Sequence, residues 1–265
     1  MLGLDVICVD VPWGAGVPWK EYGRILGADK NDEIKAVFVT HNETATGVVS
    51  DVAAVRRVMD ECFHDALLFV DGVSSVASVD FRMDEWGVDL AVTGSQKGLM
   101  MPAGLGILGV SQKAMAASKN ARMRRAYFDF EDMVSINRSG YFPYTPPTPL
   151  LHGLRASLDL LEREGLENVF ARHARLAEGV RRGVKAMGLE LVAEHPSLMS
   201  DTVSAIRVPP EVDAREVLRI AYEELNASFG SGLARLAGKV FRIGHLGSFN
   251  EGMALTALGL AELAL

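Results

Sequence analysis

The pattern of apolar and polar positions changes character about halfway along the chain. In the first half, short apolar runs alternate with helical patterns. Val6–Val11, Ile34–Thr40, Ala66–Val70, Val88–Thr93 and Gly104–Val110 each have the length and continuity of a strand. Asp51 precedes apolar positions at Val52, Val55, Val58 or Met59, and Cys62, which share one face of a helix behind an N-cap. Runs that are apolar throughout predict strands covered on both faces. Their separation by helices predicts a mostly parallel sheet of the α/β class.

From about Pro146 the texture differs. The segment Tyr141–Pro149 is rich in proline and reads as a linker. A long helix follows with Leu151, Leu154, Leu158 and Leu161 on one face. A second, from about Leu166 to Met187, carries Val169, Phe170, His173, Leu176, Val180 and Val184 in register. Strand-like runs at Leu189–Val192, Thr202–Val208 and Lys239–Ile243 come next, with a helix over Asp213–Leu225 and a last helix from near Asn250. Strands mixed with helices predict a smaller α+β unit. The boundary falls near residue 155, giving a large domain over 1–155 and a small one over 156–265.

Composition removes several classes. With 49% hydrophobic and 23% charged residues, the chain can bury a core and is not a disordered tail. A net charge of −7 without a long basic stripe argues against a nucleic-acid partner. Arg122, Arg124 and Arg125 are followed at once by Asp129, Glu131 and Asp132, and read as a solvated face. No stretch reaches the ~18 apolar residues of a membrane span. Cys8 and Cys62 form neither a disulfide framework nor a zinc pattern, which favours a reducing compartment. The six histidines are scattered without metal-ligand spacing. Gly104–Gly109 matches G-x-G-x-x-G, but its interior is Leu and Ile and no helix opens within it. It reads as a strand rather than a dinucleotide loop.

In an open α/β sheet, ligands bind beyond the carboxyl ends of the strands. Three such ends carry polar loops: His41–Gly47, Asp71–Ser75 and Gly94–Gly98. Ser-Gln-Lys occurs twice. The copy at 111–113 opens a polar helix, with Ser111 as N-cap and Lys113 exposed. Lys97 instead follows a buried strand and precedes Leu99-Met100-Met101-Pro102. Apolar surroundings disfavour a charged amine and make the neutral nucleophile accessible. Taken singly, Lys97 reads as an ordinary turn lysine and Asp71 as a turn aspartate, while Arg242 reads equally as a snorkelling or ion-paired arginine or as a carboxylate ligand. Lys97 and Asp71 together have the pattern of a pyridoxal phosphate site, where a lysine condenses with the cofactor and a carboxylate keeps the ring nitrogen protonated. Arg242, a guanidinium in an apolar strand, suits a bidentate grip on a carboxylate.

The runs Val70-Asp-Gly-Val-Ser-Ser75, Phe81-Arg-Met-Asp-Glu-Trp-Gly-Val-Asp89, Thr93-Gly-Ser-Gln-Lys97 and Gly238-Lys-Val-Phe-Arg-Ile-Gly-His-Leu-Gly247 resemble the class V aminotransferases. His41-Asn-Glu-Thr-Ala-Thr-Gly47 and Tyr141-Phe-Pro-Tyr-Thr-Pro146 resemble their alanine–glyoxylate group. The likeness covers nearly the whole chain. It implies a fold-type I transferase dependent on pyridoxal 5'-phosphate, with a mostly parallel sheet and a C-terminal α+β domain. It further implies a homodimer with shared sites, which passes the amino group of serine or alanine to glyoxylate. The partners would be a small amino acid and a 2-oxo acid.

Carried over position by position, the resemblance gives each residue a role. Lys97 would condense with the cofactor and move the substrate proton. Asp71 would pair with the pyridine nitrogen, and Val73 would pack under the ring. Thr44 would bond near the phenolate and the substrate. Gln96 would help hold the phosphate, Thr145 would reach a neighbouring subunit's phosphate, and Arg242 would clamp the substrate carboxylate. Family members begin well before the position of Met1 and carry a phosphate loop there. A shortened member is therefore expected, with an impaired remnant as the alternative. A lyase or desulfurase of the same class comes next, but desulfurases need a cysteine in the later half, and both cysteines here are early. The resemblance implies the cytoplasm for a bacterial member and the peroxisome for many eukaryotic ones, and the chain ends without a Ser-Lys-Leu-type address.

Overall fold

A computed structural model describes residues 3–265. In chain order, the first part contains α1 (Trp19–Ala28), β1 (Ala36–Thr40), β2 (Asn42–Glu43), β3 (Val48–Val49), α2 (Val52–Glu61), β4 (Leu67–Asp71), β5 (Leu90–Gly94), β6 (Gly106–Val110), α3 (Gln112–Ser118) and α4 (Phe130–Asn137). Its main sheet has the order β1-β4-β5-β6. The first three strands are parallel, and β6 closes the edge antiparallel to β5. Asp51 and Ser111 cap α2 and α3 by accepting from the amides of Ala54 and Ala114. Val37, Val39, Leu68 and Val70 form one core with Val52, Val55 and Met59 of α2 and Leu26 of α1.

The second part contains α5 (Thr148–Glu164), α6 (Leu166–Ala186), β7 (Glu190–Leu191), β8 (Val203–Arg207), α7 (Ala214–Glu223), β9 (Gly230–Ser231), β10 (Val240–Gly244) and α8 (Glu251–Ala264). Its sheet, β7-β8-β10-β9, is antiparallel throughout. A second core joins Val180, Val184, Ile206, Val217, Phe241, Ile243 and Ala261.

Two expectations are corrected, and one element is new. Val6–Val11 is not a strand: it pairs with no other segment among the described residues, and Val6 and Ile7 lie 78% and 65% exposed. Helix α1 was not foreseen, because Gly23 and Gly27 weaken its helical pattern. Gly23 has a packing reason, since a Cβ there would lie 3.1 Å from Val58 Cβ of α2. Cover on both sheet faces holds for one face only. Val37 and Val39 point at the helices, whereas Phe38, between them, is 63% exposed and meets Phe69 edge to face at 5.1 Å.

Buried histidines make the fold sensitive to acid. His41, packed between Phe81 and Trp86, is pushed down to about 4 by burial. His245 is likewise pushed to about 4 by burial. Its Nδ1 donates to Asp201 O and its Nε2 accepts from Ser204 Oγ. Burial also lowers His173, whose Nδ1 donates to Val169 O while Nε2 accepts from Gly247 N. A histidine held neutral in the fold binds fewer protons than the unfolded chain below its ordinary pKa. Its stabilisation is whole above about 6.5 and is lost as pH falls toward about 4. The urea midpoint is expected to drop steadily across that window, before most carboxylates titrate. A flat midpoint would contradict the neutral assignment.

Candidate active site

The carboxyl ends of β4 and β5 lie side by side, with Asp71 in register with Val92. Asp71, the last residue of β4, is exposed. Its Oδ1 accepts from the Val73 amide at 2.9 Å, and no cation pairs with it among the described residues. Beyond β5 the chain turns through Ser95–Leu99, which carries Gln96 and Lys97. Ser95 Oγ donates to Pro102 O at 2.7 Å and accepts from Leu105 N at 3.1 Å. Met100 N donates to Lys97 O, and Met100 itself adopts φ 58°, a left-handed conformation that costs a non-glycine residue about 1–2 kcal/mol.

The surroundings over-determine this turn. Gly98 packs where a Cβ would lie 2.2 Å from Val76 O. Ser157 of α5 donates from its hydroxyl to the buried carbonyl of Leu99. Gly247, with φ 73°, lies against Met100 and the Lys97 carbonyl, and its amide donates to His173 Nε2 of α6 at 2.9 Å. The backbone of Lys97 is thus fixed from three directions. Its half-buried side chain makes no hydrogen bond among the described residues.

A hydroxyl cluster flanks the β4 end. Thr44 Oγ1 donates to Ser74 Oγ at 3.0 Å, and Ser74 Oγ donates to Asn42 O at 2.7 Å. Asn42 Nδ2 donates to Ser74 Oγ and, across to the second sheet, to Thr202 Oγ1, both at 2.9 Å. Arg242 enters from β10. Its Nε donates to Ser231 O at 2.9 Å and its Nη1 to Thr44 O at 3.0 Å. A guanidinium has five N–H donors, so its Nη2 edge remains free. Burial lowers the Arg242 pKa, and nearby Glu43 opposes that shift. No carboxylate is within ion-pair distance of Arg242 among the described residues.

The structure therefore brings Lys97, Asp71, Val73, Thr44 and Arg242 to one end of the first sheet. Gln96 sits exposed in the Lys97 turn, and Thr145 is exposed in the irregular segment before α5. Neither side chain makes a hydrogen bond among the described residues. Sequence reasoning missed Asn42, Ser74, Ser157 and Thr202, because their roles rest on contacts between distant segments. Cys62 does not serve a desulfurase chemistry here. It follows α2 at the opposite end of the sheet, with Sγ bonded to Gly23 O. Among the described residues no acidic, histidine or cysteine group could hold a metal, and no helix is long and apolar enough to cross a membrane.

In chemical terms, the strand ends hold an unbonded amine, an unpaired carboxylate and a half-free guanidinium. Asn42 Oδ1, Ser75 Oγ and Thr93 Oγ1 are also buried there without a hydrogen-bond partner among the described residues. Such a set suits a ligand carrying a carbonyl, a basic nitrogen and an acid group.

Comparison with known proteins bears on the same region. The family described as Aminotransferase class-V matches residues 24–237. The serine–glyoxylate aminotransferase of Hyphomicrobium methylovorum is 62% identical over 100% of this chain and 66% of its own length. The L-aspartate–glyoxylate aminotransferase of Paracoccus denitrificans is 58% identical over 99% of this chain and 66% of its own length. The chain thus spans 66% of the length of these curated relatives. The crystal structure of pyridoxamine–pyruvate aminotransferase from Mesorhizobium loti superimposes with a TM-score of 0.90 at 33% identity, covering 97% of this chain and 65% of that one.

The Lys97 turn offers a direct test of its packing. Ser157→Ala leaves the buried Leu99 carbonyl without its side-chain donor and is expected to lower the unfolding free energy by about 1–3 kcal/mol. Urea denaturation measures this, and a change under about 0.5 kcal/mol would show that α5 does not hold the turn.

Proposed function

The chain belongs to the class-V aminotransferase family, and from that membership we propose that it is a pyridoxal 5'-phosphate-dependent transaminase that passes the amino group of serine or alanine to glyoxylate. Its fold is that of the fold-type I aminotransferases. The observation that carries the reading is that Asp71 and the Lys97 turn lie at and beyond the ends of neighbouring parallel strands, neither side chain having an ion partner among the described residues.

The residues fit the cofactor in charge and chemistry. Lys97 Nζ would condense with the aldehyde, the Asp71 carboxylate would pair with the pyridine nitrogen, and Val73 would supply apolar cover for the ring. When bound, the cofactor supplies a conjugated ring that takes up the electron pair left at the substrate Cα. Asp71 keeps the ring nitrogen protonated and so strengthens that pull. Lys97 Nζ accepts the Cα proton and returns it, as a base held by a rigid turn. Arg242 receives the substrate carboxylate on its free N–H edge, and Thr44 lies beside that carboxylate.

Gln96 would help hold the phosphate and Thr145 would reach the phosphate of the neighbouring subunit, which makes the functional unit a homodimer. Exposed Tyr127, Phe128 and Tyr141, in the same stretch of chain as Thr145, support this reading, because exposed apolar patches mark association surfaces. The cytoplasm suits the two free thiols.

Mixing the protein with pyridoxal phosphate is expected to give a visible absorption band, and borohydride should fix the cofactor onto Lys97. Retention of the band in Lys97→Ala would end the reading. Arg242→Ala is expected to raise KM for the amino donor by about 10- to 100-fold, the range of charge-assisted hydrogen bonds, with a much smaller loss of cofactor uptake. Equal losses in both would remove Arg242 from the carboxylate site.

A further inference from the structure

We infer that His173 is a positioning residue for the Lys97 amine, acting through Gly247, and that it does so only as the neutral ring protonated at Nδ1. The inference rests on the transaminase reading and deepens it, by naming a residue of α6 that sets where the base of the reaction lies.

The ring's proton follows from its two neighbours. An imidazole nitrogen donates or accepts according to whether it holds hydrogen. His173 Nδ1 lies 2.7 Å from Val169 O, which can only accept, and Nε2 lies 2.9 Å from Gly247 N, which can only donate. A flipped ring would set carbon against both. The hydrogen is therefore on Nδ1 and the lone pair on Nε2. His173 is 0% exposed, so no water replaces either bond. Burial also lowers its pKa, in keeping with a neutral ring. The residue before it on α6 holds the same glycine by its other polar group. Arg172 Nη1 donates to Gly247 O at 2.9 Å and to Phe249 O at 3.3 Å, while its Nε and Nη2 grip Glu164 at 2.6 and 3.0 Å.

Gly247 passes this placement to the lysine. It adopts φ 73°, and a Cβ on it would lie 3.0 Å from Met100 Cγ and 3.6 Å from Lys97 O. Met100 N donates to that same Lys97 carbonyl, from a left-handed backbone that a residue with a side chain keeps only under constraint. The glycine thus sits as a wedge behind the strained end of the turn that carries the amine. Without the Nε2 lone pair, the buried Gly247 amide has no acceptor and the wedge shifts. Arg242 does not share this dependence. It lies on β10, laddered to β8 and β9, and its side chain is tied to Ser231 and Thr44. Loss of the His173 acceptor therefore displaces the base and leaves the carboxylate grip in place, which separates turnover from substrate affinity.

The test compares His173→Phe, which keeps a ring and loses the acceptor, with His173→Gln, whose side-chain oxygen can accept from Gly247. Amide hydrogen exchange is read first, on the protein without cofactor. In His173→Phe the Gly247 and Met100 amides are expected to exchange about 10-fold faster, the loss of one buried hydrogen bond, and His173→Gln is expected to restore both. With pyridoxal phosphate added, His173→Phe should keep the visible band while kcat and kcat/KM for the amino donor fall together by about 10- to 100-fold. His173→Gln should recover most of that loss. A Met100 amide unmoved in His173→Phe would overturn the inference, and so would equal turnover in the two variants or a loss carried by KM. Nitrogen NMR of the unaltered protein checks the ring without any variant that must fold, and a hydrogen on Nε2 would overturn the inference as well. No cofactor band in the unaltered protein would end the transaminase reading. Met100 exchange raised in His173→Phe and restored in His173→Gln would still uphold His173 as the residue that places Lys97. A band with Met100 exchange unmoved would sink the inference and leave the reading.

Discussion

The bond from Arg242 Nη1 to the carbonyl of Thr44 joins the two halves of this chain at the place where chemistry is possible. Arg242 lies on β10 in the second sheet, and Thr44 lies in the loop beyond β1 of the first. A half-buried guanidinium loses hydration, and here backbone carbonyls rather than a carboxylate replace part of it. The charge is therefore solvated but not neutralised. That is the condition for an anion site: an ion pair within the protein would have filled it, and full exposure would have screened it.

Around that bond runs a polar seam between two apolar cores. Asn42 reaches Thr202, the Ser200 amide donates to Gly47 O, and Val48 bridges Met199. Thr202 O in turn accepts from the His245 amide. Buried hydrogen-bonded networks of this kind tolerate few alternative arrangements, because a shifted partner leaves a polar group dry and unpaired. Apolar packing stabilises each half, and the seam sets how the halves register. The Lys97 turn depends on both. Leu99 enters the apolar cluster with Leu161 and Val169, while the His173–Gly247 bond fixes the loop that backs it.

What could be read from the sequence was local. Asp51 and Ser111 announced their helices through capping, and both caps are made. The strand-end rule puts the Lys97 turn and Asp71 at one edge, because a parallel sheet concentrates its loops there. The apolar interior of Gly104–Gly109 identified a strand despite its glycine spacing, and β6 is that strand. The direction of β6 was not legible, since a short buried run reads the same both ways. Residues 6–11 have the composition of a strand but no pairing neighbour among the described residues. Ser74 looked like one serine in a turn. Its meaning depends on Asn42, 32 residues earlier, and on an amide that reaches 160 residues onward. No periodicity records such a contact.

The grip of Arg242 on two carbonyls has a further consequence for recognition. Arginine normally freezes several rotors when it closes on an acid, and that ordering opposes association. Here the rotors are frozen beforehand by Ser231 and Thr44. On the proposed role, an arriving acid would meet a stationary fork, so competing acids should differ less in how fast they dock than in how long they stay.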